Sequence, residues 1–487
     1  MNFCLNVVSF RSRTRPQFGG ALCHCKMFKA FALILPLAIL TAAVPSLALS
    51  AMSGRSKSVQ RTTHKALRPA GSSLPESPEA KLADLVKAGE PMLDLSTDSR
   101  LFNEAKSLVL QMKDAELSFS PLLLADVRTP VQFAQTFPNY YFELIKNNSS
   151  LLKSLEGIET FTAWTPGRAF PESFGALIRG DAASIFTVAD VDSAGPGPCA
   201  ASLFQFLVGA RFYDSSLRVD LMIQSYVRGI QGDEMQIPHL AMDLMSRSRS
   251  AGMVPDESRV MNGRLLREPG ASELSAVEQE VVQTNLDQFF PRKVTILDGL
   301  QRHGETSFGK IQKQISLLLE SRGQTLVVDL EEETPAANSV LTQGEANAES
   351  SSESTSLSDR LTTAFTVERG GLSVYEGAIQ ISGVKYSMMP RFRGDIGVQV
   401  GSEATLGDGE LSELLKFEAY TLGQIHARTL NEPQAYLRAL ARVGVRDVAR
   451  DVVALGLLIE HRFAMLRSPL KTDVAPSPEM HSADHSN

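Results

Sequence analysis

The stretch Ala183-Ser184-Ile185-Phe186-Thr187-Val188-Ala189-Asp190-Val191-Asp192-Ser193-Ala194-Gly195-Pro196-Gly197-Pro198 organises the reading of this chain. Its first half is a short apolar run of strand composition. Its second half ends in two Gly-Pro pairs, which predict a turn. A helix is expected next, with Leu203, Phe206, Leu207 and Ala210 facing inward. A second helix is expected after Asp214-Ser215-Ser216, residues suited to an N-cap, with Leu221, Met222, Tyr226 and Ile230 on its apolar face.

Upstream, the spacing of Leu101, Ala105, Leu108 and Met112 predicts an amphipathic helix over 98–113. Residues 130–155 are expected to be helical, burying Phe133, Phe137, Tyr141 and Leu144. Downstream the texture changes. Lys293–Leu300, Ile311–Leu319, Gln324–Leu330, 373–380 and 384–392 read as strands, with alternation at Ile311, Ile315, Leu317 and Leu319. Residues 343–358 are an acidic, Ser-rich loop, and 410–430 and 433–466 are helical again. Helices, then strands, then helices predict an α+β chain with two lobes.

The N-terminus reads as an address. No Asp or Glu precedes Glu76, and Arg11, Arg13, Arg15, Lys26 and Lys29 lead into the apolar run Ala30–Leu40. Ala48 and Ser50 occupy the minus-three and minus-one places of a cut before Ala51, the pattern of a secretory leader, with Met27 as an alternative start. Two other readings stay open. Residues 30–51 are about long enough for an uncleaved inner-membrane anchor, although Pro36 and Pro45 weaken it, or the start is misread. The expected layout is a leader at 1–50, a flexible spacer at 51–80, one domain at 81–468 with its strand-rich part at about 290–395, and a polar tail at 469–487.

Ten of the 48 Lys and Arg precede Glu76, so residues 76–487 carry a net charge of −17. Such a surface does not favour nucleic acid. Three of the four cysteines, Cys4, Cys23 and Cys25, lie in the leader, which leaves Cys199 without an internal partner. Asp190 and Asp192, two apart after a strand, have two readings: a hard-cation pair, or capping residues of the turn. Arg179-Gly180-Asp181 spells an adhesion tripeptide of the kind that arises readily by chance.

Several segments together carry a resemblance. They are Gly167-Arg168-Ala169-Phe170-Pro171-Glu172-Ser173-Phe174-Gly175, Ala189–Pro198, Gly304-Glu305-Thr306-Ser307-Phe308-Gly309, Asp329-Leu330-Glu331-Glu332-Glu333-Thr334-Pro335 and Leu422-Gly423-Gln424-Ile425-His426-Ala427-Arg428. In this order they resemble the bacterial family known as domain of unknown function 2252. The resemblance implies a kinase-like fold of a helical lobe and a smaller antiparallel-sheet lobe, with segment order rearranged relative to ordinary kinases. It also implies a vestigial glycine-rich turn with Gly304, Ser307 and Gly309 as its cofactor-binding positions.

Phosphoryl transfer needs an acid to orient the nucleophile, Asn and Asp ligands for Mg²⁺, and a lysine on the phosphates. Here the family's loop Asp falls at Arg168, its His at Phe170, its Asn at Ser173 and its strand Lys at Glu331. Arginine neither accepts a proton nor binds Mg²⁺. An early Arg of the family falls at Asp126 in the stretch Ser120–Val127. The expectation is therefore an exported, periplasmic or secreted, catalytically inactive kinase-like protein. It would have no cofactor, would dock a protein or envelope partner, and would meet membrane only through an uncleaved leader. The alternative is an atypical Mg-dependent phosphotransferase using Asp190 and Asp192. His426 reads as a satisfied structural residue.

Overall fold

A computed structural model describes residues 4–7, 98–179, 183–189, 191, 193–254, 256–268, 270–290, 293–305, 311–321, 323–342, 357–370, 376–405 and 408–467. The spacer, the tail, most of the acidic loop and residues 30–51 lie outside this set. No helix among the described residues is long and apolar enough to cross a membrane.

In chain order the elements are β1 (Cys4–Val7), α1 (Ser99–Val109), α2 (Pro121–Asp126), α3 (Pro130–Thr136), α4 (Pro138–Asn148), β2 (Thr162–Thr165), β3 (Phe174–Ile178), β4 (Ser184–Val188) and β5 (Gly195–Pro198). Next come α5 (Cys199–Tyr213), α6 (Val219–Gln231), α7 (His239–Ala251), β6 (Val260–Met261), β7 (Arg264–Leu265), β8 (Ser272–Glu273), α8 (Ala276–Phe289), β9 (Thr295–Glu305), β10 (Ile311–Ser321) and β11 (Gln324–Glu332). The chain closes with α9 (Ser339–Thr342), α10 (Leu357–Arg369), β12 (Gly377–Ile381), β13 (Val384–Pro390), β14 (Ile396–Thr405), α11 (Asp408–Ala427), α12 (Pro433–Leu440) and α13 (Val445–Arg467). The protein is mixed α and β with antiparallel sheets, as composition and periodicity predict.

The main sheet runs β12-β13-β11-β10-β9-β8. Its strands follow from alternation: Ile315, Leu317 and Leu319 of β10 and Val328 and Leu330 of β11 bury one face beneath α8. The opposite face carries a small cluster of Leu300, Leu318 and Val327, with Ser316 and Asp329 continuing the same row. A second sheet runs β1-β14-β3-β4. Removal of a leader before Ala51 would take β1 with it and leave β14 as that sheet's edge.

A third core is built almost wholly from helices. α5 is buried on nearly every side, because Leu203, Phe206, Leu207 and Ala210 face inward while its other flanks pack too. α1 buries Leu101, Ala105 and Leu108, capped by the Asp98 carboxylate on the Leu101 N–H at 2.8 Å.

Four expectations are corrected. The span 130–155 is not one helix: Pro138 forces Phe137 out of the helical region, to φ −122 and ψ 63, and splits it into α3 and α4. All four predicted stripe residues are nonetheless buried. Residues 433–466 likewise divide into α12 and α13. Asp214 does not cap α6; its carboxylate closes a turn on the Ser216 N–H, and Arg218 holds the cap position. The Gly-Pro pairs form a strand, β5, antiparallel to β2. Proline's fixed φ suits extended backbone at a short edge pairing, and the glycines are needed for close approach. A Cβ on Gly197 would come within 2.1 Å of the Asn338 amide nitrogen.

Candidate functional site

Three of the segments singled out above converge at β5. The Asn338 amide donates to Thr165 Oγ1 at 2.8 Å and to the carbonyls of Gly195 and Pro196. The Ala337 N–H donates to the Ser193 carbonyl at 3.1 Å. Arg360 of α10 donates to the carbonyls of both Ala194 and Thr334. The chain leaving β11 is thereby fastened to the segment that follows β4.

The loop before β3 is fastened from the other side. Gln205 of α5 accepts from the Ala169 N–H at 2.7 Å and donates to the Gly167 carbonyl at 3.2 Å. Gly167 sits at φ +71, and a Cβ there would lie 1.9 Å from the Ser193 carbonyl oxygen. Both backbone conformation and space therefore require glycine. Gly167→Ala is expected to destabilise the protein by about 2–3 kcal/mol, as strained backbone plus a clash does. Urea unfolding measures this, and a loss below about 0.5 kcal/mol would contradict the geometry.

The degraded motif positions and the other candidate residues fare differently within this frame. Phe170 is fully buried against α5, where a Cβ on Gly209 would touch its ring. Arg168 is half-buried beside it. Ser173 is engaged through its backbone, its N–H to the Phe170 carbonyl and its carbonyl to the Ala189 N–H at 2.7 Å. Gly304 is a strand residue of β9 opposite Gln312, with open space where a side chain would be. Ser307, Gly309, Asp190 and Asp192 lie outside the described residues. Asp126 is exposed at the end of α2. Among the described residues no three His, Cys, Asp or Glu side chains gather as a metal site.

Glu331 belongs to an ion network on the face of the main sheet away from α8. Asp329 accepts from Arg259 and from Arg391, each at 2.7 Å, and from Ser316 Oγ at 2.7 Å. Arg391 also reaches Glu331 at 3.3 Å. Burial opposes ionisation of Asp329, yet the Arg391 and Arg259 guanidiniums outweigh it and hold the carboxyl well below the usual carboxylate range.

The end of α11 carries His426 and Arg428 in different settings. His426 is fully buried, with Nδ1 2.7 Å from the Tyr226 hydroxyl, which is 3.3 Å from the Tyr436 hydroxyl. Burial pushes its pKa down to about 3, so it stays neutral and structural at ordinary pH. Arg428 reaches outward. It donates to the Val367 carbonyl at the end of α10 and lines a groove of about 290 Å³ between β4, α10 and α11. Arg179 and Arg369 line the same groove, over Phe186, Phe417, Ile425 and Met245. Arg369 pairs with Glu376 and donates to the Ala189 carbonyl at 3.0 Å. Asp395 lies behind it. Burial pushes its carboxyl up to about 6, against the pull of Arg369 and the Ile178 N–H.

Sequence reasoning named Arg428 and Arg179 separately and missed Arg369. No local pattern links positions so far apart; only the packing of α10 between β4 and α11 brings them together. No protein-family model, curated protein or solved structure matches the chain.

Proposed function

We propose that the protein is an exported, catalytically inactive kinase-like binding protein, resembling the domain of unknown function 2252 family. The observation that carries this reading is the burial of Phe170. The position where the family's pattern has a loop His is here a core side chain wedged against Gly209, and Gln205 clamps the loop backbone on either side of Arg168. A loop tied into the core in this way supplies neither an acid for the nucleophile nor a ligand for Mg²⁺.

The strand position supports the same reading. Glu331 stands where a phosphate-binding lysine would, and its charge is answered by Arg391 within the protein. Salt bridges of Asp329 and Glu331 to Arg259 and Arg391 occupy the face that the resemblance would assign to a triphosphate. Export fits as well, because spaces outside the cytoplasm lack an ATP supply, and a protein sent there has little use for an ATP site.

A thermal-shift assay with ATP and Mg²⁺ tests the proposal. The melting temperature is expected to stay unchanged. A clear upward shift that Asp190→Ala abolishes would overturn the proposal in favour of a phosphotransferase using Asp190 and Asp192, since only ligands that bind the native state raise its stability.

A further inference from the structure

The groove between β4, α10 and α11 is lined by three arginines, Arg179, Arg369 and Arg428, against one carboxylate, Glu368, and it carries unmet hydrogen-bonding capacity. Ser184 Oγ and Arg369 Nε are buried and have no hydrogen-bond partner. Arg428 uses its guanidinium on one carbonyl, that of Val367, and among the described residues forms no ion pair. A guanidinium has five N–H donors in a fixed fork, and Arg428 is exposed, so most of its donors face solvent and are open to a ligand. Ser184 Oγ and Arg369 Nε are different, because buried polar groups without partners are rare enough in native proteins that each calls for an explanation.

The carboxylates of the region do not fill this need. Glu368 lines the groove too, and one of its oxygens accepts from Trp164 Nε1 at 3.3 Å. Glu376 is taken by Arg369. Burial favours the neutral form of Arg428, and Glu368 opposes this only in part. A ligand in the groove therefore meets three guanidinium groups and one carboxylate, a positive balance. Beneath these lies an apolar floor of Phe186, Phe417, Ile425 and Met245. The volume of about 290 Å³ sits at the lower end of the range for small-molecule pockets.

We infer that this groove binds a small amphipathic anion, an apolar body bearing a carboxylate or phosphate head that Arg428, Arg369 and Ser184 hold. Forked guanidinium contacts suit such heads in particular. The inference stands apart from the kinase-like reading, because none of the loop or strand positions at issue there line the groove.

The chain contains a single tryptophan, Trp164, and its indole touches Glu368 of the groove lining, which provides a reporter. The probe is octanoate, titrated into the full chain at low salt while Trp164 fluorescence is followed, with octanol and inorganic phosphate titrated in parallel. A saturable change is expected with octanoate, a much weaker one with octanol, and at least a tenfold rise in Kd for Arg428→Gln. Ser184→Ala, which removes one donor and little volume, is expected to raise Kd severalfold with the melting temperature unchanged. It keeps the test valid should Arg428→Gln fold poorly. Equal binding of octanol and octanoate, equal affinity in wild type and both variants, or no saturable binding of octanoate would each overturn the inference. Displacement of octanoate by phosphate at comparable concentration would identify the head alone as the ligand and overturn the amphipathic assignment.

Discussion

Glu418→Gln is expected to make the protein more stable at neutral pH and to remove much of the dependence of its stability on pH. Glu418 lies on α11, is fully buried, and neither of its carboxyl oxygens has a hydrogen-bond partner. Apolar side chains beside it on α11, Leu414 and Phe417, share their cluster with Ala176, Ile396 and Tyr213. Burial pushes its carboxyl well above the usual range, and the nearby Glu172 adds to that. The folded state therefore holds a proton that the unfolded chain releases. This contribution is fully present below the ordinary carboxylate pKa, near 4.5, and is lost as pH rises toward the folded value. Over that window each pH unit costs about 1.4 kcal/mol of stability. The amide cannot ionise, so wild type and variant should be similar at pH 4 and diverge as pH increases. Urea denaturation from pH 4 to 8 measures the difference. Parallel curves would show that Glu418 finds a partner on ionisation.

The opposite sign is expected on the main sheet. Asp329→Asn should destabilise the protein by about 3–5 kcal/mol at pH 7, the cost of breaking a buried ion pair by removing one member. Asp329 is 6% exposed in its side chain and satisfies two guanidiniums and Ser316 at once. An asparagine carries no charge to answer Arg259 and Arg391. The folded pKa is depressed here, so the stabilisation is present above the ordinary carboxylate pKa and declines as pH falls below it. Chemical unfolding at pH 7 decides the first point, and a loss under about 1 kcal/mol would place the two arginines in solvent rather than in the network. Acid unfolding of wild type and Asp329→Asn should differ in slope, because only the wild type takes up this proton.

The two carboxylates show why a site is harder to read than a fold. Both sit in stretches whose secondary structure is legible, a strand that alternates and a helix that does not break. Nothing local distinguishes Asp329, held ionised by Arg259 and Arg391, from Glu418, held neutral by apolar neighbours. The partners of Asp329 are 70 and 62 residues distant. A missed element makes a related point. α8 is weakly apolar and buries only Val282 and Leu286, so its periodicity is faint. Its start was nonetheless written in Ser275 and Glu278, whose reciprocal capping box is present in the structure. β14 was missed as well, although Ile396, Val398 and Val400 alternate with Gly397 and Gln399 as a strand does; it pairs with β1 and β3.

The sequence by itself determined the α+β class, the amphipathic face of α1, the main antiparallel sheet and the inward side of α5. Each of these rests on periodicity within a single element, which hydrophobic burial enforces locally. Tertiary structure decided the rest. The Gly-Pro run around which the reading began is a strand because β2 pairs with it and Asn338 needs the space its glycines leave. Phe170 is core because Gly209 receives it, the charge of Glu331 is answered because Arg391 directly follows β13, and Arg428 and Arg369 share a groove because α10 packs between β4 and α11. Charges and donors act through distance, and distance between residues far apart in the chain exists only once the fold has brought them together.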